Sequence, residues 1–104
     1  MGPKFENHPL FPERTNVQFA SISASDQIRM RVWERGVGVT LASGSSSCAT
    51  AVAANRRGLT GKKVQIELDG GILNINWRED GVWMTGPTMN VFAGSFSEEF
   101  LNSL

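Results

Sequence analysis

From residue 28 to residue 35 the side chains alternate with a period of two. Ile28, Met30 and Val32 share one parity, and Arg29, Arg31, Trp33 and Arg35 hold the other. A strand sends successive side chains to opposite faces, so this stretch predicts a strand with one dry face. Glu34 falls on the dry parity at the strand's end, where a carboxylate needs a partner, a ligand or water. Residues 15–22 alternate more weakly and predict a second strand, with Val17 and Phe19 on its dry side and Asn16 and Gln18 on its polar side. Val64, Ile66 and Leu68 repeat the pattern further on. Asp69-Gly70-Gly71 predicts a hairpin turn into a strand over 72–77, and Gly81 separates that strand from one over 82–85. Residues 89–93 give a sixth candidate strand.

One stretch breaks the alternation. Residues 45–57 are rich in Ala and hold neither Pro nor Gly, which predicts a helix. Ala49, Ala51, Ala53 and Ala54, beside Cys48 and Val52, are small enough to bring this helix close to a sheet. Ser43 or Ser45 suits its first turn, Arg56 and Arg57 its negative end, and Gly58 the residue beyond. Pro3, Pro9 and Pro12 predict turn and extended chain over 3–13, and 97–103 predict one amphipathic turn with Phe100 and Leu101 inward. The resulting expectation is a single α+β domain over 1–104, a mainly antiparallel curved sheet packed around one central helix.

Composition bounds the function. Apolar residues make up 40% and charged residues 19%, as in globular domains. Lys and Arg number 10 and so do Asp and Glu, so the balance gives no electrostatic case for nucleic acid or an anionic membrane. Cys48 is the lone cysteine, and a reducing cytoplasm is the simplest compartment for such a chain. No apolar run approaches the ~18 residues of a membrane span, and the start does not look like a signal peptide. Met1-Gly2-Pro3 leads straight into a Pro-rich segment, as if entering in mid-domain.

Chemistry concentrates between Trp33 and Cys48. The segment reads as a strand end, a Gly-rich turn and a helix start. Unpaired amides and the positive end of the helix dipole would hold a carboxylate or phosphate there, although many Gly/Ser turns merely cap a helix. Glu34 and Arg35 either bind the ammonium and carboxylate of an amino acid or form a solvated strand end. Asn16, by spacing alone, is an exposed polar residue. His8 has no evident partner, Cys48 suits a buried inert thiol, and the three tryptophans suit sheet packing. A single His and a single Cys show no metal-ligand spacing.

Taken in order, several stretches resemble diaminopimelate epimerase. They are Gly2-Pro3 with Glu6-Asn7-His8-Pro9, Phe11-Pro12-Glu13-Arg14-Thr15-Asn16, Arg31 to Gly38, the Gly/Ser segment entering the helix, Gly70-Gly71, Trp77, and Met84-Thr85-Gly86-Pro87. The resemblance implies the C-terminal half of a two-domain fold, with the first domain and the early strands of the second absent. It implies cofactor- and metal-free interconversion of LL- and meso-diaminopimelate, in lysine and cell-wall precursor synthesis. Two cysteines, one per domain, would face the α-carbon as acid and base. By the same resemblance, Asn16, Glu34 and Arg35 hold the substrate's amino and carboxylate groups, and Gly44 and Ser45 surround the reacting carboxylate. Ser43 stands at the catalytic-cysteine position. The chain departs from the family there, at Val39 where many members carry Glu, and at Ser46-Ser47 in place of a Gly-Ala pair. The expectation is little or no activity from this chain alone. Two alternatives remain open: a catalytically dead module that binds an amino acid or carboxylate, or a homodimer in which a second copy replaces the missing domain.

Overall fold

The structure, a computed structural model, describes residues 1–104. Its elements run α1 (Gly2–Glu6), β1 (Val17–Ala24), β2 (Gln27–Glu34), β3 (Gly38–Thr40), α2 (Gly44–Arg56), β4 (Lys63–Leu68), β5 (Gly71–Arg78), β6 (Gly81–Thr85) and α3 (Glu98–Asn102). The strands form one open sheet in the order β1-β2-β4-β5-β6. Strand β2 shares its second edge between two neighbours. Its first residues, 27–29, pair with β4 in parallel, and its last, 32–34, pair with β3. All other pairings are antiparallel, so the α+β reading with a mainly antiparallel sheet holds, with one parallel ladder added.

The parity of β2 sets the core. Ile28, Met30 and Val32 are essentially fully buried, and they are joined by Val64, Ile66, Leu68 and Ile75 from β4 and β5. Ala51 and Ala54 of α2 close over this face. Each fully buried aliphatic side chain contributes about 1.5–3 kcal/mol, so this patch carries most of the fold's apolar stabilisation. Gly58, at φ 72°, ends α2. Its amide donates to the Asn55 carbonyl and that of Leu59 to the Ala54 carbonyl, the paired bonds of a Schellman stop.

Strand β1 reverses the sequence reading. Gln18, Ala20 and Ile22 register against Val32, Met30 and Ile28, so they share the helix-facing side. Phe19 lies on the outer side and is 41% exposed. The weak alternation of 15–22 misled because the inward positions are Gln18 and Ala20, one polar and one small. Gln18 meets its need locally: its amide donates to Ser46 Oγ at 2.9 Å.

Three further expectations fail. Residues 2–6 are helical rather than extended, with proline in the first turn, where its missing N–H costs nothing. Residues 89–93 form no strand, since no ladder receives them, and the strand count is made up by β3. Phe100 and Leu101 are 46% and 52% exposed rather than inward. Residues 86–97 form an arm without regular structure, on which Met89, Val91, Phe92 and Phe96 stand open. The arm helps lift the radius of gyration to 17.3 Å, against roughly 13 Å for a compact domain of this length. On the body, an apolar groove of 430 Å³ lies between β1 and α2, lined by Ala20, Ile22, Ala49, Ala53 and Leu59 among others. No helix is long and apolar enough to cross a membrane.

Candidate functional site

The turn after β2 is held from several directions. The Trp33 ring lies against the Cα of Gly2, where an added Cβ would come within 2.4 Å of it. Its indole Nε1 donates to Glu6 Oε2 at 2.6 Å. The other Glu6 oxygen accepts from the Gly36 amide at 2.7 Å and from Arg14 Nη1 at 3.4 Å. Glu6 is only 5% exposed. The indole bond first, then the Gly36 amide, hold its carboxyl below the ordinary range; the Arg14 and Arg35 charges add to this, and desolvation opposes it. Gly36 takes φ 74°, which a residue without Cβ adopts without strain.

Asn16 and Arg35 meet through the backbone. Asn16 Oδ1 accepts from the Arg35 amide at 2.7 Å, and Arg35 Nη1 donates to the Glu13 carbonyl at 3.1 Å. Glu34 turns toward β3, where Thr40 Oγ1 donates to its Oε1 at 2.8 Å. That bond supplies the partner its half-buried position requires. Asn16, Glu34 and Arg35, with Arg14 and Thr15, line one open depression of 480 Å³ that contains no apolar residue. The three residues singled out from sequence, 16, 34 and 35, therefore come together in space.

Ser43, Gly44 and Ser45 lie at the start of α2. Ser43 has the extended backbone of an N-cap, φ −155° and ψ 115°, yet its hydroxyl makes no capping bond, and neither does that of Ser45. The Ser43 carbonyl accepts from the Ser47 amide at 3.0 Å and the Ser47 hydroxyl at 2.8 Å. The amides of Gly44, Ser45 and Ser46 precede the first intrahelical bond and take no acceptor from the chain. Two contacts fix the approach to this helix. The Gly70 amide donates to the Leu41 carbonyl at 2.7 Å, and a Cβ on Gly70 would come within 2.9 Å of that oxygen. Thr40 donates its single hydroxyl proton to Glu34, so that bond ties the Glu34 side chain to the start of the loop that delivers Ser43.

Such a site has distinct chemical capacities. Glu34 offers a carboxylate to an ammonium, Arg35 offers its remaining guanidinium N–H groups to a carboxylate, and free first-turn amides favour negative charge. Sequence reasoning missed Glu6 and Thr40. Glu6 lies 27 residues from Trp33, so no local pattern pairs them. The other candidates are structural: His8 Nδ1 accepts from the Leu10 amide at 3.2 Å, and burial pushes the Cys48 thiol up, away from the reactive thiolate. Trp77 takes the Lys62 ammonium over its ring, and the half-exposed Trp83 ring lies beside the Arg78 guanidinium. No three His, Cys, Asp or Glu side chains converge as metal ligands would.

Comparison with known proteins bears on this geometry. The family model described as diaminopimelate epimerase matches residues 1–91. A diaminopimelate epimerase of Rhodospirillum centenum is 59% identical over 102 residues, covering 97% of this chain and 35% of that protein. One from Acidiphilium cryptum is 54% identical, covering 97% and 37%. One from Phocaeicola vulgatus is 57% identical over 96 residues, covering 90% and 34%. Among solved structures, a Bacillus anthracis phenazine biosynthesis protein of the PhzF family superposes with TM-score 0.52 and 28% identity, over 68% of this chain and 25% of that one. The chain spans about a third of the length of the curated relatives it matches. With the family model matched across most of its length and the sheet and turn built as described, the chain belongs to the diaminopimelate epimerase family.

Proposed function

We propose that this chain is one side of an amino-acid epimerase site whose substrate is diaminopimelate or a close relative. The supporting observation is the shared depression of Asn16, Glu34 and Arg35, joined through Thr40 to the loop before Ser43. Glu34 receives the substrate's ammonium and Arg35 its carboxylate, while Asn16 orients Arg35 through its amide. Gly44 and Ser45 at the start of α2 favour the negative charge that develops on the carboxylate when the α-proton leaves. The proton-moving group at the end of this loop is Ser43. Its hydroxyl is a far poorer base than a thiol of pKa about 8.5, and no side chain hydrogen-bonds to it to activate it. The chain alone therefore binds the amino acid and turns it over negligibly. The parent reaction needs neither cofactor nor metal in this reading, and it belongs to lysine and cell-wall precursor synthesis in a reducing cytoplasm.

The test is deuterium incorporation at the α-carbon of diaminopimelate in D₂O, followed by NMR, for the chain as it stands and for Ser43→Cys. The expected result is exchange by Ser43→Cys only, meaning a formed pocket that lacks its thiol. Turnover by the unaltered chain well above a buffer blank would sink the claim that Ser43 disables it. No exchange by either, together with no binding at millimolar ligand, would remove the amino-acid site.

The opposite wall of the site comes from further polypeptide, either the family's first domain or a second copy of this chain. The exposed arm over 86–97, the open edge of β1 and the apolar groove beside it all favour completion by another surface. Light scattering over a concentration series distinguishes the two. A dimer that disappears on removal of 87–104 supports the second copy, and a persistent monomer supports the first domain.

A further inference from the structure

We propose that Glu6 is a positioning residue of this site, acting on Glu34 and Arg35 without touching substrate. The inference rests on the amino-acid-binding reading above. Its physical basis is that one carboxylate grips the chain on both sides of the pair. Oε2 takes the indole N–H of Trp33, the residue before Glu34, and Oε1 takes the backbone N–H of Gly36, the residue after Arg35. Asn16 holds the Arg35 amide between them. The pair is thus held at two successive backbone amides, of Arg35 and Gly36, and at the preceding Trp33 side chain, each by a side-chain acceptor. An unpinned strand end would otherwise let Glu34 and Arg35 sample several geometries, and binding would have to supply the ordering.

Glu6 is suited to this task by charge as well as reach. An ionised carboxylate is acceptor-only, so it can satisfy the indole and the amide at once. Arg14, at 3.4 Å, offsets its charge, so the depression gains no second uncompensated carboxylate beside Glu34. Two close packings hold the arrangement in place: Gly2 lies on one part of the Trp33 ring, and Gly38 is near another, where an added Cβ would lie 3.7 Å from it. Each of these residues contributes to the position of Arg35 and Glu34 through Trp33, and Glu6 alone bonds to both ends.

The diagnostic variant is Glu6→Gln. It keeps the length of the side chain but brings one acceptor oxygen and one amide group, so either the indole or the Gly36 N–H faces a donor. Diaminopimelate binding is measured by titration on the full chain, and the Trp33 indole and Gly36 amide by NMR and hydrogen exchange. Glu6→Gln remains folded below its melting temperature, binds diaminopimelate roughly tenfold more weakly, and exchanges the Gly36 amide roughly tenfold faster. Trp33→Phe, which removes the indole donor together with part of the ring that packs near Gly38, keeps the Gly36 bond, gives a smaller loss and stands in if Glu6→Gln does not fold. Equal binding by wild type and variant overturns the proposal. If the wild type binds no diaminopimelate, the amino-acid reading fails by itself. The Gly36 exchange rate then decides the positioning claim, since an unchanged rate in Glu6→Gln removes the grip on the turn.

Discussion

The two sides of the candidate site are built on opposite plans. The turn carrying Glu34 and Arg35 is over-determined: Glu6, Asn16, Thr40 and the Glu13 carbonyl each hold a named atom of it. The start of α2 is the reverse. Its approach is fixed by Gly70 and Thr40, but the hydroxyls of Ser43 and Ser45 and the first amides hold nothing in the chain. Under the proposed function, rigid groups meet the substrate's permanent charges, and unsatisfied donors remain where charge would develop during reaction. Preorganised donors that need no rearrangement are the largest source of electrostatic stabilisation in such sites.

The comparison breaks most visibly at Trp33. Trp33→Ala empties the slab between Gly2 and Gly38 and takes a donor from Glu6. For a half-buried tryptophan this costs roughly 2–4 kcal/mol, measured as the change in urea midpoint at constant slope. A loss below about 0.5 kcal/mol, the level of an ordinary surface change, would mean that the turn is held elsewhere.

Acid sharpens the same contrast, with a smaller effect. Glu6 sits below the ordinary carboxylate range through its indole and amide donors, and Asp69 does so through Arg29 first and Arg31 second. A lowered folded-state pKa gives stability that is present above the unfolded value of about 4 and is lost as pH falls through the folded value. Unfolding midpoints should therefore stay level from neutral pH to the ordinary carboxylate range and decline below it. Glu6→Gln and Asp69→Asn should each flatten that decline. An acid limb unchanged in both variants would show that neither carboxylate anchors the fold.

Which parts of this plan were legible in the sequence follows from distance along the chain. The β2 alternation, the 69–71 turn and the helix with Gly58 beyond it are local patterns, and all three form close to where periodicity and turn chemistry put them. Strand β3 has three residues and exists because β2 offers its last edge positions. Its period is too short to read. The face of β1 was misassigned because its register with β2, rather than its own hydrophobicity, decides which side meets the helix. Residues 89–93 have the composition of a strand but no neighbour to pair with. Position at the strand end points to Glu34 and Arg35, with a solvated end as the alternative, and resemblance adds Asn16; their gathering in one depression adds a spatial reason. Glu6 and Thr40 lay outside any local pattern because each acts on atoms that only the fold brings near.

The smallest effect is the most informative about the helix start. An N-cap serine ordinarily contributes about 1 kcal/mol, because its side chain accepts a first-turn amide. Ser43 occupies the N-cap backbone position without that bond. Ser43→Ala should therefore cost less than about 0.5 kcal/mol, within the range of a neutral surface substitution. The same chemical-denaturation series measures it, beside Ser47→Ala as a reference, since Ser47 is fully buried and its hydroxyl does donate, to the Ser43 carbonyl. A loss near the full cap value would mean that the hydroxyl is committed to the helix and the first-turn amides are already served. A negligible loss leaves both the hydroxyl and the amides free for an incoming carboxylate, as a binding site requires.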